Sequence, residues 1–158
     1  MAKKRATLRH KATKKGKIFF RAKSQRRKER LANMDENQIS KIVVDCCYRI
    51  HKKLGPGLLE SVYLEILIYE LKKAGLKSEK EVGIPVHYED IKLDLGFRAD
   101  LIVDNLVIVE LKSVEKVQPV HKKQVTTYLK LKGMKLGLLV NFNVNLIKDG
   151  IERVVNHL

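Results

Sequence analysis

Three charged residues interrupt an otherwise apolar stretch, GFRADLIVDNLVIVELKSV at residues 96–114: Asp100, Glu110 and Lys112. Burying an unpaired charge is expensive, so a chain that places three in a covered hairpin must compensate them. Side chains two apart on a strand share a face, so Glu110 and Lys112 project together while Val109 and Leu111 point the other way. Asp100 falls on the neighbouring strand. Two carboxylates brought close together repel, and both ionise comfortably only with a cation between them. Hard oxygen ligands select Mg²⁺ or Mn²⁺ over zinc, and Mg²⁺ retains water that can serve as a nucleophile. A lysine beside such an ion and a phosphate oxygen would orient or deprotonate that water and stabilise charge developing on the phosphorus.

The chemistry carries a parity condition. Residues directly opposite in a hairpin share a face, so Asp100 and Glu110 converge only if cross-strand residue numbers sum to an even value. A two-residue Asp104-Asn105 turn would pair residue 103 with 106 and aim the acids to opposite sides. The pattern therefore predicts a three-residue or otherwise odd loop near 104–106, or a bulge that restores register.

These strands must be held by other elements. Ile39, Ile42, Val43, Cys46, Cys47 and Ile50 recur at helical steps after Asp35, a suitable N-cap, which predicts a helix over about 36–53. GPG at 55–57 breaks the chain. A second helix follows over about 58–74, with Leu59, Val62, Tyr63, Ile66, Leu67 and Leu71 facing inward and Gly75 just past its end. EVGIPVHYE and IKLDL read as one hairpin, FRADLIV and LVIVELK as a second. Residues 106–109 are apolar on both faces, as in a central covered strand. PVHKKQVTTYLKLKG returns to helical period with Pro119 in the first turn, and LGLLVNF is a last buried strand. The remainder, NVNLIKDGIERVVNHL, reads as a loop and a short packing segment. The expected architecture is α/β, a mixed sheet flanked by helices in the order α-α-β-β-β-β-α-β.

Length and charge set the frame. At 158 residues and 44% hydrophobic content the chain suits one domain with a real core. Its longest apolar runs fall far short of the roughly 20 residues that span a bilayer, and the N-terminus lacks the apolar core of a secretory signal. A cytoplasmic protein with no membrane association is the expectation. Residues 1–33 hold 14 Lys or Arg against one acid, a net +13, which leaves 19 against 17, a net +2, for residues 34–158. The basic segment is expected to be disordered when alone. It reads either as an arm that binds nucleic acid by counterion release, or as a solvated tail or sequence upstream of a start at Met34; a transit peptide ranks lowest. Cys46 and Cys47 are adjacent, a spacing that suits buried thiols rather than a zinc site or disulfide framework. The five histidines are scattered without ligand spacing. Glu60 opens the second helix, where the dipole favours any acid. Gln124 and Tyr128 are four apart and share a helix face.

GFRAD (96–100), ELK (110–112) and QVTTY (124–128) resemble the GhxxD, (D/E)hK and QhxxY motifs of RecB-like nucleases in the PD-(D/E)XK superfamily, in that order. GLLESVY (57–63) resembles the motif that names the GxxExxY proteins, a group placed in the same superfamily. The resemblance runs from about residue 36 to 150. It departs from the superfamily name in one place, with Ala99 before the acid where the name has proline. It implies a restriction-endonuclease-like core and Mg²⁺- or Mn²⁺-dependent phosphodiester cleavage of nucleic acid, DNA before RNA. By position it implies Asp100, Glu110 and Glu60 as metal ligands, Lys112 as the catalytic lysine, and Gln124 and Tyr128 as supports of site or substrate. Two competing readings are a nucleic-acid-binding protein without turnover, whose affinity comes from the basic segment, and a structural partner whose site is a relic.

Overall fold

The structure, a computed structural model, describes residues 33–157. The expected basic segment lies outside the described residues, apart from Asn33. Helix α1 (Glu36–Leu54) starts from a capping box in which the Gln38 N–H donates to the Asp35 carboxylate at 2.8 Å and the Asp35 N–H to Gln38 Oε1 at 3.0 Å. It stops at Gly55, whose φ of 69° is left-handed. Helix α2 (Glu60–Ala74) follows and ends at the left-handed Gly75. Strands β1 (Ser78–Tyr88), β2 (Ile91–Val103) and β3 (Val107–Lys112) come next. Helix α3 (Pro119–Lys132), with Pro119 in its first turn, leads to β4 (Leu136–Asn141), a 3₁₀ turn (Ile147–Gly150) and β5 (Ile151–Val155).

The five strands lie in the order β1-β2-β3-β4-β5, antiparallel except for the parallel β3–β4 pair that α3 connects. The fold is the expected mixed sheet flanked by helices. β3 and β4 are its centre, and apart from Lys112 at the rim every residue of both is buried. Ile102, Ile108, Leu139 and Val154 join Val125, Tyr128 and Leu129 of α3 in one apolar cluster. The opposite parity of β3 and β4 (Val109, Leu111, Leu138, Val140) is also buried, and α1 and α2 pack against those two strands. Among the described residues no helix is long and apolar enough to cross a membrane.

The strand order differs from the expected one in two places. IKLDL and FRADLIV form one continuous strand, β2, because Gly96 does not end it. Gly96 sits in a bulge where Pro85 alone faces residues 94–96 between the pairs Ile84↔Phe97 and Val86↔Leu93. A Cβ there would lie 2.7 Å from the Ile84 carbonyl oxygen, so the glycine permits a close approach rather than a turn. The C-terminal segment, expected to be a loop and a short packing segment, supplies a further strand: Ile151–Val155 pairs with β4 as an antiparallel edge. Cys46 and Cys47 are buried free thiols, and burial pushes both up from the ordinary thiol range.

Gly137 on β4 lets α3 approach the sheet: an added Cβ would lie 2.6 Å from Val125 Cγ1. Gly137→Ala should cost about 1–3 kcal/mol of stability by overpacking. In a denaturant double-mutant cycle the cost should shrink when Val125→Ala makes room; an equal cost in both backgrounds would show that the contact is not the cause.

A carboxylate and lysine site at the open end of the central strands

The turn between β2 and β3 has three residues. Val103 pairs with Val107, Ile102 with Ile108 and Leu101 with Val109, so the next position outward sets Asp100 opposite Glu110 on one face. Asp104 and Asn105 adopt positive φ of 47° and 56°, which short polar side chains tolerate, and the Leu106 N–H closes the turn on the Val103 carbonyl. Asp104 also accepts the Lys77 N–H at 2.9 Å, which ties the turn to the start of β1. This is the odd loop that the parity condition requires.

Backbone pairing of β2 with β3 stops at Leu101, and Asp100 takes over: its Oδ2 accepts the Leu111 N–H at 2.8 Å. One carboxylate oxygen is thus spent on holding the strands together. Glu110 is only 2% exposed; Oε1 accepts from the Lys112 ammonium at 2.8 Å, while Oε2 is buried with no hydrogen-bond partner among the described residues. The same ammonium donates to the Leu111 carbonyl at 2.7 Å and stands 3.9 Å from Asp100 and 3.7 Å from Glu60. Lys112 therefore binds three carboxylates from three elements. Glu60, from the first turn of α2, is on the rim, with its side chain 42% exposed.

The electrostatics of the pair are not symmetric. Burial pushes the Glu110 carboxyl above its ordinary range and the Asp100 charge adds to this, outweighing the Lys112 hydrogen bond and charge. Burial works against the Lys112 charge, but its hydrogen bond to Glu110 and the charges of Glu110, Asp100 and Glu60 outweigh burial and hold the ammonium above the ordinary lysine range. In this arrangement the lysine ammonium is a hydrogen-bond donor to Glu110 and to the Leu111 carbonyl.

Gln124 and Tyr128 lie beside the carboxylates without bonding to them. The Gln124 amide donates to the Tyr128 hydroxyl, which donates to the Arg98 carbonyl at 3.2 Å, two residues before Asp100 on β2. Burial raises Tyr128 from its ordinary value, as do the charges of Glu110 and Asp100. Its hydroxyl is a donor that steadies the strand carrying the acid.

Several residues to which the sequence analysis gave no role in the site complete it. The Leu111 backbone contributes its N–H and its carbonyl, as above. Ser113 Oγ donates to the Leu58 carbonyl at 2.7 Å and so clamps the end of β3 to the turn that launches α2. The buried Asn141, cross-strand partner of Lys112, accepts the Val114 N–H at 3.1 Å and donates to the Val114 carbonyl at 2.8 Å. Tyr63, the tyrosine of GLLESVY, is fully buried and stacks on Phe142 at 4.2 Å. Its hydroxyl donates to the Gly55 carbonyl at 2.6 Å and accepts the Leu58 N–H at 3.3 Å, which fixes the GPG turn and hence where Glu60 stands. That signal was present in the glycine-bounded turn but has no chemistry of its own to reveal it.

A divalent cation fits this donor set in one respect: Glu110 Oε2 is a hard oxygen acceptor buried without a partner among the described residues. Among the described residues, no three acidic, histidine or cysteine side chains close into a metal cage. The arrangement is two sheet carboxylates with a third across the ammonium, which suits an ion that keeps its water and takes further ligands from a substrate.

A sequence profile of the PD-(D/E)XK nuclease superfamily matches residues 37–154, the helices, sheet and site just described. No curated protein and no solved structure matches the chain.

Two measurements follow from this geometry. A carboxyl raised in the folded state binds its proton more tightly there than in the unfolded chain. The cation-free protein should therefore lose stability as pH rises from about 4.5, the ordinary glutamate value, through the raised one. Glu110→Gln should melt above the parent in EDTA at neutral pH, by roughly 2–4 °C for each kcal/mol recovered, and the gap should close in acid. A gap that persists at low pH would assign it to packing. Tyr63→Phe leaves a carbonyl and an amide without their partner and should cost about 1–2 kcal/mol in denaturant midpoint analysis.

Proposed function

The chain belongs to the PD-(D/E)XK nuclease superfamily, and from that premise we propose that it is a Mg²⁺-dependent nuclease that hydrolyses phosphodiester bonds of DNA. The observation that carries the reading is the orphaned Glu110 oxygen beside an ammonium that is itself ringed by Asp100 and Glu60. Asp100 and Glu110 would hold the ion, with Glu60 joining from the rim. When bound, such an ion supplies Lewis acidity and an activated water for in-line attack at phosphorus.

The protein's own side chains do the rest. Lys112, kept charged, presents its ammonium to a non-bridging phosphate oxygen and stabilises the negative charge that grows there. Asp100 is fixed by the Leu111 N–H, so its remaining oxygen keeps one orientation while the reaction proceeds. Gln124 and Tyr128 act as positioning residues through the Arg98 carbonyl. Tyr63 and Ser113 do the same for Glu60 through the GPG turn.

Purified full-length protein should cleave DNA with Mg²⁺ and not with EDTA. Glu110→Ala and Lys112→Ala should each lower the rate by at least about a thousandfold, the scale of losing one such electrostatic contributor. Calorimetry should show weakened Mg²⁺ binding for Glu110→Ala, whereas Lys112→Ala, which removes a competing cation, should bind the ion at least as well as the parent. Parental cleavage by Lys112→Ala would end this proposal.

A further inference from the structure

The outer half of the β1–β2 hairpin extends from the sheet as a two-stranded arm. Its cross-strand pairs Val86↔Leu93 and Tyr88↔Ile91, with Ile84↔Phe97 at its base, put six apolar side chains on one face. Ile84 is buried beneath α3, but Tyr88 is 65% exposed, Ile91 53%, Leu93 44% and Phe97 42%. The other face and the tip are polar: His87 pairs with Lys92, Lys92 bonds Asp94 at 3.0 Å, and Glu89 and Asp90 form the turn. An arm that is amphipathic where it has no neighbour among the described residues is built to meet something.

This apolar face is continuous with the site. Phe97 packs against Tyr128 with ring centroids 5.5 Å apart, and the Tyr128 hydroxyl is bonded to Arg98, two residues before Asp100. Phe97 itself precedes Asp100 by three strand residues, about 10 Å, within reach of a base one or two nucleotides from the phosphate under attack. Tyr88 lies a further four residues out along β1 from the partner of Phe97, about 13 Å. Aromatic rings spaced along the approach to a phosphodiester-cleaving centre are what strand-tracking proteins use, because every base offers a π-face. A second copy of the chain is the other candidate for this face, but four exposed apolar side chains fall far short of the roughly 20–30 residues a side of a standard protein interface.

We propose that the arm is a stacking platform for unpaired bases, with Phe97 and Tyr88 as its aromatic steps, so that the enzyme acts on single strands, flaps or frayed ends in preference to closed duplex. The platform rests on the nuclease reading for its orientation. A closed duplex keeps its base faces inside the stack, and only a strand that is unpaired can turn them to the arm.

The test is binding by the full chain in EDTA, at fixed salt near 150 mM because the basic N-terminal sequence attracts any DNA. The probes are a single strand containing 2-aminopurine and a blunt duplex of the same length. Tyr88→Ala and Phe97→Ala should each weaken single-strand binding about tenfold and abolish the 2-aminopurine fluorescence change, with duplex binding altered less than twofold. Phe97→Trp should restore the parental values. If Phe97→Ala fails to fold by circular dichroism, Tyr88→Ala on the exposed arm carries the test. Unchanged binding, or equal losses on both DNAs, overturns the platform; so does a dimer in sedimentation that Tyr88→Ala dissociates without any effect on DNA. Parental cleavage with Mg²⁺ is scored separately. A protein that cleaves without the single-strand contrast loses only the platform, and one that shows the contrast without cleaving loses only the nuclease reading.

Discussion

One ammonium group organises this molecule's polar centre. Lys112 stands at hydrogen-bonding or ion-pairing distance from Glu110, Asp100 and Glu60, which come from β3, β2 and the start of α2. Without it, three acids would face one another at the edge of a buried sheet, and burial alone already pushes one of them toward its protonated form. With it, the acids are gathered but not balanced: three carboxylates share one cation, and one buried oxygen has no partner among the described residues. A structure with stability as its only constraint would have placed leucine or valine here, as β3 and β4 do elsewhere along their length. The unfavourable arrangement persists because the surrounding fold over-determines it.

That over-determination can be traced to backbone details. A three-residue turn sets the parity of β2 against β3, and a one-residue change in its length would aim Asp100 and Glu110 to opposite sides. Asp100 substitutes for a ladder hydrogen bond at the place where the two strands part. On the opposite side, the Tyr63 hydroxyl and Ser113 tie the GPG turn to the end of β3, so that α2 enters with its first residue, Glu60, toward the ammonium. Each of these ties fixes an angle or a register on which the acids depend.

The sequence was most legible where physics forbids coincidence. Charges at 110 and 112 in an apolar run demand compensation, and the parity argument for Asp100 needed only the period of a strand, which the three-residue turn satisfies. Glu60 was different: an acid in the first turn of a helix is ordinary, and only the resemblance to a known motif separated it from that background. Gly96 misled the strand count because a glycine in a strand reads as a break, whereas its use here is to let the Ile84 carbonyl approach. β5 was missed because IERVV is short and follows a run of turn-forming residues, and its pairing with β4 is a long-range fact that no local pattern announces. The hydrogen bonds of Tyr63, Ser113 and Asn141 were invisible for the same reason: each spans a loop or crosses between elements.

The charge balance also bears on the proposed nuclease activity. Residues 34–158 carry a net +2, but the site itself gathers three acids around one ammonium. A phosphodiester approaching that cluster meets net negative charge unless something neutralises it first. A proton on Glu110 can do so only partially, and it removes the very oxygen that would hold a cation. A dication can do so fully, and by drawing Glu110 into its ionised form it would also release Lys112 from part of its service to the acids. On the proposed reading Asp100, Glu110 and Glu60 would hold such an ion, which would supply the positive charge the cluster lacks, and Lys112 would present its ammonium to a phosphate oxygen from the strand that carries it.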